Sequence, residues 1–413
     1  MALLRRLMLP LPALLLCLAE APAQATLLVR SDSTGLLVQD KNDLSDRVVV
    51  SAGIRNGNPA YVVTNNNSFD VFKFDRQAGC FPGDADNQVL CTRASGKLNL
   101  SLLGGGDEVK VQNSGAGSTS VNLGSGNDDY FGIPGPDNVF GATGNDDIET
   151  FGGNDTVSMG SGSDRVNAGG GRDRVDIGAG SDSGSDEIDA GADDDVIAIP
   201  ETTADQLVID TSGADSITTG SGNDRIVAGS GDLLDPDRNG GDSDTIDTRA
   251  GNDRIVSKES ALVGPSPDTV KCGFGFDQVE ADLTDSVDAG TCDERDISPV
   301  GESNVRIRAR ALTVARSGRI KVRLRCPRAV RKLGCNGRLR LHVKGTSSHT
   351  DKVRYRIKAR KSRTATLTLA RKGVRALRRR QRHGRTTRGA LTSVEKGRHG
   401  RKTTVRSPRL RLR

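Results

Sequence analysis

The apolar residues in the middle of this chain do not cluster. Tyr130, Val139, Ile148, Val157, Val166 and Val175 recur nine residues apart, four of them with polar residues on both sides. Self-similarity at a fixed short period predicts a solenoid. Each period divides into a glycine-rich turn and a short strand, whose single apolar side chain points into a narrow interior between two small sheets. The period stumbles at 181–185, where Gly184 takes the apolar slot. It resumes with Ile188 and Ile197, and insertions such as 233–240 separate later copies at Ile217, Ile226, Ile246, Ile255, Val270 and Val279.

The flanks follow other patterns. Short apolar or alternating runs at 26–30, 35–39, 47–50, 61–64, 71–74 and 98–102 predict strands between turn residues. A solenoid needs a cover over its first coil, so residues 26–103 are expected to form a β-rich cap, with the repeats occupying 104–298. Beyond Pro299, apolar residues alternate with basic or polar ones at 305–311, 320–326, 339–343, 353–357 and 365–369, the period-two signature of half-buried strands. Residues 374–380 predict a short helical turn and 402–413 a last strand. Residues 299–413 are therefore expected to form a basic β-sandwich-like domain, immunoglobulin-like at most in architecture.

The polar positions of the repeat carry the chemistry. Two residues before each lone apolar residue stands an aspartate, and two before that a glycine. The pairs Gly126/Asp128, Gly135/Asp137, Gly144/Asp146, Gly153/Asp155, Gly162/Asp164 and Gly171/Asp173 run without a break. Asp182 follows at the same step, and Gly222/Asp224, Asp244 and Gly251/Asp253 repeat the pattern downstream. Further copies centre on Asp186, Asp195, Asp215, Asp268 and Asp277, and Thr119 with Val121 extends the run backward in degraded form. Calcium takes about six to eight oxygens in flexible geometry. Glycines let a turn adopt positive φ and aim carbonyls inward, and the aspartate adds a carboxylate at the turn's end. One turn cannot complete a coordination shell, so each ion would be shared between stacked turns.

This nonapeptide, G-G-x-G-x-D-x-U-x with the first glycine often replaced, resembles the RTX family, the haemolysin-type calcium-binding repeats. The resemblance covers roughly half the chain. It implies Ca2+ as the ligand and a parallel β-roll with two repeats per coil, and so an all-β fold of cap, roll and sandwich. Equivalent turns would then recur every eighteen residues, with Asp128, Asp146, Asp164 and Asp182 on one side and Asp137, Asp155 and Asp173 on the other. Departures weaken some copies. Pro134 and Pro136 flank Gly135 and stiffen that turn. Arg172, Arg225 and Arg254 sit near the expected sites, and Asp193 replaces a glycine. The copies after 195 are thus weaker metal candidates than those in 119–182. The run 268–292 resembles the closing segment of secreted bacterial repeat proteins, where a bridge staples the last coils.

The competing reading of the acidic run is a metal-free solenoid or a disordered segment, because low hydrophobicity with high charge opposes folding. The two readings combine into one expectation. Crowded carboxylates repel until calcium neutralises them, so the repeats are expected to be disordered without calcium and folded with it. Extracellular modules bind at about 10⁻⁴–10⁻³ M.

The net charge of +6 conceals a division. Residues 26–300 carry 49 acidic and 19 basic side chains, whereas 301–413 carry 3 and 38. Three readings stand for the basic half: a solvated surface, attachment to anionic cell-envelope polymers or carbohydrate as an adhesin, and pairing with the chain's own acidic half. Nucleic-acid binding is disfavoured, since neither interleaved aromatics nor a known module is present.

At the start, Arg5 and Arg6, the apolar run 7–18 and Ala23-Gln24-Ala25 predict a signal peptide over 1–25. The apolar run is too short to span a membrane, and Leu16 before Cys17 lacks the small residue of a lipoprotein signal. A secreted, extracellular or cell-surface setting follows as the expectation. The remaining cysteines form three local pairs, Cys80 with Cys91, Cys272 with Cys292 and Cys326 with Cys335, read as disulfides. Zinc competes poorly, because no C-x-x-C or cysteine–histidine cluster is present.

No H-E-x-x-H, G-x-S-x-G or G-x-G-x-x-G occurs, and all four histidines lie beyond residue 340, which removes the usual general base from the acidic half. Parallel β-helices do host polysaccharide lyases, so a polysaccharide-acting enzyme remains a lesser alternative. The carboxylates are better read as calcium ligands, and the expectation is a protein that is not an enzyme.

Overall fold

A computed structural model describes residues 26–413 except 34, 42–44, 67–70, 75, 77–78, 93–95, 113–114, 179–181, 200–201, 210–212, 229–242, 259–266, 298–304, 308, 328–334, 384–385 and 397–400. The expected signal peptide and the insertion at 233–240 lie outside the described residues.

Most nonapeptides yield one three-residue strand, whereas Asp137–Thr143 runs to seven. In Asp147–Glu149, Thr156–Ser158, Arg165–Asn167 and Arg174–Asp176 the central residue is buried and the outer two are not. Alternate strands go to opposite sheets: Asp147–Glu149 pairs in parallel with Arg165–Asn167, and Thr156–Ser158 with Arg174–Asp176. Two nonapeptides therefore make one coil of a parallel β-roll. In-register pairing stacks the lone apolar residues into columns: Tyr130, Ile148, Val166 and Ile188 on one sheet, Val121, Val139, Val157 and Val175 on the other. All eight are at most 1% exposed. Burying one such side chain contributes about 1.5–3 kcal/mol, but each turn orders several residues at roughly 1–2 kcal/mol apiece. One column per sheet cannot offset that alone, so the stack depends on what ties the turns together.

Neither sheet breaks near residue 104. Lys97–Ser101 pairs in parallel with Ser118–Ser125 and, on its other edge, with Gly35–Asp40. Arg47–Arg55 pairs in parallel with Glu108–Gln112, which pairs with Asp129–Phe131. The N-terminal strands thus extend the roll's own sheets. Antiparallel neighbours then join each one, Thr26–Asp32 beside Gly35–Asp40 and Asn58–Asn65 beside Arg47–Arg55, and on their far edges these carry Val71–Phe74 in parallel and Gln88–Thr92 antiparallel. The Cys80–Cys91 disulfide joins directly opposed residues of the outermost hairpin.

The last coils are bridged by Cys272–Cys292. Beyond them a second core gathers Leu312, Val314, Ile320, Val322, Leu324, Leu367 and Leu410 from one sheet against Leu339, Leu341, Val343, Tyr355, Ile357 and Leu391 from another. This is the expected sandwich, and Cys326–Cys335 links its two sheets. The helix is Arg371–Arg382, longer than a single turn, with Val374 and Leu377 buried on its inner side. The tail expected as one strand is two, Arg401–Arg406 and Arg409–Leu412, in different sheets. Gly389–Lys396 is a strand that alternation does not reveal, because two of its buried positions are Ser393 and Glu395. Ser393 Oγ shares a hydrogen bond with the Tyr355 hydroxyl (2.6 Å), and Glu395 accepts the N–H of Val305 (2.7 Å).

Roll and sandwich share a sheet. Glu294–Ile297, the roll's final strand, pairs antiparallel with Arg401–Arg406. Arg406 reaches Asp296 (3.3 Å) and Glu294 (3.8 Å), and Lys344 pairs with Asp293. Acidic roll and basic sandwich do meet as ion pairs at this seam.

Candidate metal centre

Nearly every turn among the described residues ends on an aspartate with a buried side chain, and these aspartates bind one another's coils. Asp128 donates its backbone N–H to Asp146 Oδ1 (3.0 Å), and Asp146 donates to Asp164 Oδ1 (2.9 Å). On the facing side Asp137 donates to Asp155, and Asp155 to Asp173 (both 2.8 Å). Their carbonyls work in the other direction, as Asp128 O accepts the N–H of Asp147 (2.8 Å). One ladder runs Asp46, Asp107, Asp128, Asp146, Asp164, Asp186, Gln206, Asp224, Asp253, Asp277. The other runs Asp137, Asp155, Asp173, Asp195, Asp215, Asp244, Asp268, Asp285.

Gly144 shows why glycine stands two residues ahead. Its φ is +133°, and a Cβ there would lie 1.4 Å from the carbonyl oxygen of Gly126, one coil earlier. Gly171 repeats the arrangement at φ +119°, 1.5 Å from Gly153 O. Columns of backbone carbonyls therefore run beside the columns of carboxylates.

The second carboxylate oxygen has no such role. Oδ2 of Asp128, Asp146, Asp155, Asp164, Asp173, Asp186, Asp195, Asp224, Asp253 and Asp277 is buried without a hydrogen-bond partner. Burial pushes these carboxyls far above the usual range: Asp146, Asp186 and Asp195 to about 8, Asp137, Asp173 and Asp253 to about 7, Asp128, Asp164 and Asp277 to about 6. Asp155 and Asp224 are raised for the same reason. Repulsion between successive rungs adds to it, as at Asp146 between Asp128 and Asp164. Among the described residues no three His, Cys, Asp or Glu side chains converge on one point. A cation here would draw most of its oxygens from the backbone, one or two from aspartate, and none of its ligands from nitrogen or sulfur. That donor set fits calcium.

Most of the expected ligands fall into register. Asp128, Asp146, Asp164, Asp224 and Asp253 share one ladder, and Asp137, Asp155, Asp173 and Asp244 the other. Asp182 does not sit on the step after Asp164. The chain between is four residues longer than one coil, so Asp186 takes the rung. Asp182 instead accepts the N–H groups of Gly162 (3.1 Å) and Gly184 (2.9 Å), which brings a further carboxylate to the same turn. Asp137 also differs: its Oδ2 accepts the N–H of Ile133 (3.0 Å) in the turn that holds Pro134, Gly135 and Pro136. Gly153, Gly162 and Gly251 hold positive φ as expected, whereas Gly135 and Gly222 do not. Arg172, Arg225 and Arg254 point outward, and Arg172 pairs with Asp194 (2.8 Å) and Arg254 with Glu280 (3.2 Å). Asp193 adopts φ +78° in a glycine's place.

Several rungs escape the sequence pattern. Asp107 has the signal, with Gly105 two before and Val109 two after, but stands out of step with Asp128. Asp46 lacks the glycine, and Gln206 lacks the aspartate. Ala142, Phe151 and Arg249 hold positive φ without being glycine.

The family described as the RTX calcium-binding nonapeptide repeat (4 copies) matches residues 131–166, 150–183, 182–198, 202–232 and 239–257. No curated protein and no solved structure matches the chain.

Proposed function

The chain carries RTX calcium-binding nonapeptide repeats, which bind Ca2+ and form β-rolls, and from that premise we propose that it works outside the cell as a calcium-folded structural protein. The carrying observation is the pair of carboxylate ladders with buried, unpartnered Oδ2 atoms. Calcium supplies the positive charge that makes such burial favourable. The residues proposed to hold it are the ladder aspartates, above all Asp128, Asp146, Asp155, Asp164 and Asp173, with the turn carbonyls beside them and Asp182 as an added carboxylate. The signal-peptide reading of residues 1–25 and three disulfides support an extracellular setting. No catalytic role is assigned. Far-UV circular dichroism through a calcium titration, with magnesium as control, tests the proposal. β-structure gained near millimolar calcium and not with magnesium is expected, and a spectrum unchanged by calcium would refute it.

A second reading, attachment to an anionic envelope polymer, is favoured by one face of the sandwich. Arg319, Lys321, Arg323 and Arg325 project outward from one strand. Beside them lies a row of exposed short side chains, Thr368, Thr366, Thr364 and Ser362. Two strands away Arg409 and Arg411 project past Ala311 and Thr313. Cations every other residue stand about 7 Å apart, an array that suits a linear polyanion lying along the strand. Replacing the four strand cations with glutamine in the full protein is expected to abolish salt-sensitive sedimentation with cell envelopes. Unchanged sedimentation would leave the face as a solvated surface.

A further inference from the structure

One rung of the first ladder carries no carboxylate. Gln206 stands where Asp164, Asp186 and Asp224 stand in neighbouring coils, and it is 2% exposed. Its backbone N–H donates to Asp224 Oδ1 (3.0 Å), which confirms the register. Its Oε1 accepts the N–H of Asp186 (2.8 Å), the task that Oδ1 performs elsewhere. The partners fix the amide's orientation, because only its oxygen can face an N–H and only its NH2 group can face carbonyls. Nε2 donates to Gly184 O at 3.0 Å and to Ala204 O at 3.3 Å. Those two residues lie two before their rungs, the place that Gly126 and Gly144 hold higher in the roll. The amide therefore sets two N–H dipoles between carbonyls of successive turns. Elsewhere that environment presents only oxygens to a cation.

We propose that Gln206 substitutes for calcium, so that the junction between the Asp186 and Gln206 turns closes without an ion. The inference rests on the calcium reading above and adds which junction is exempt from it. At Gln206 the acceptors are satisfied by a neutral group, so no charge repulsion opposes closure when calcium is absent. The junction divides the ladder's calcium sites into an upper block ending at Asp186 and a lower block starting at Asp224. It is also the place from which coils would stack first as calcium arrives.

Two measurements on the full mature protein test this. In chelator, amide hydrogen exchange at Asp186 and Leu207, whose N–H groups cross this junction, is expected to be at least about tenfold slower than at Asp128 and Asp147, which cross an aspartate junction. Gln206→Asp is expected to bind one more calcium per chain than the parent by equilibrium dialysis, and to lose the exchange difference in chelator. Equal exchange at the two junctions in the parent protein overturns the inference, as does an unchanged ion count in a folded Gln206→Asp. Should that variant fail to fold even in calcium, the exchange rates of the parent decide alone. Either failure would leave the parent's calcium-driven gain of β-structure intact. A parent that shows no such gain removes the calcium reading itself, and this inference with it.

Discussion

Stripping calcium at controlled pH tests the ladders most directly. Nine rungs have carboxyls raised to between about 6 and about 8, against 3.8 for an ordinary aspartate. A raised folded-state pKa means that the folded chain holds its protons more tightly than the unfolded one. The corresponding stability is fully present below the unfolded value and is lost as pH rises through the folded value. One carboxyl moved from 3.8 to about 7 contributes about 4 kcal/mol across that window. Even a quarter of the combined shift matches the whole stability of an ordinary domain, about 5–15 kcal/mol. The calcium-free roll is therefore expected to be folded near pH 5 and unfolded by pH 8. If three rungs still hold protons midway, stability falls by about 4 kcal/mol per pH unit, so the transition spans roughly one unit. The assay is far-UV circular dichroism of the mature protein in chelator from pH 5 to pH 9, followed by calcium addition at pH 8. A β-signal lost on alkalinisation and restored by calcium is the expected result. A chelated spectrum that stays constant with pH, or that loses β-structure on acidification from pH 8, would refute the reasoning.

Substitutions at three contacts probe the roll locally. Gly144→Ala places a Cβ 1.4 Å from Gly126 O at φ +133°, and coil stacking in this region is expected to fail even in saturating calcium, seen as lost exchange protection at Asp128 and Asp146. Asp155→Asn keeps an acceptor for the Asp137 N–H, whereas Asp155→Ala strands it; both should need more calcium to fold, and the alanine variant should be about 1–3 kcal/mol less stable than the asparagine variant by denaturant titration. Cys272→Ser with Cys292→Ser opens the bridge across the final coils and is expected to cost about 2–4 kcal/mol, with limited proteolysis in calcium beginning near residue 290 rather than elsewhere in the roll.

Where the period is unbroken, from Asp128 to Asp173, the sequence discloses both the coil and the ladder, because one nine-residue step fixes backbone register and side-chain role together. Legibility ends where the two separate. Four extra residues after Asp164 hand the rung to Asp186, and counting by nines cannot show which aspartate the chain will choose. Gln206 is invisible to any alignment on aspartate, since its equivalence lies in hydrogen-bond geometry. The arginines at 172, 225 and 254 look close to the sites along the chain, yet their side chains leave on the solvent side of the strand or turn. In the sandwich, Gly389–Lys396 escapes notice because Ser393 and Glu395 find buried polar partners.

The sheet that passes unbroken from the N-terminal strands into the sandwich has a mechanical meaning. From Arg47–Arg55 to Glu294–Ile297 there are ten parallel pairings, and at about 4.8 Å each they span about 50 Å. Its far end is taken by the antiparallel strand Arg401–Arg406, so another coil cannot add there. The chain is thus a strut of set length with an arginine-rich plate at one end. If calcium folds the roll as proposed, the loaded strut holds the plate at a fixed reach, and the drained chain is a slack tether of the same contour.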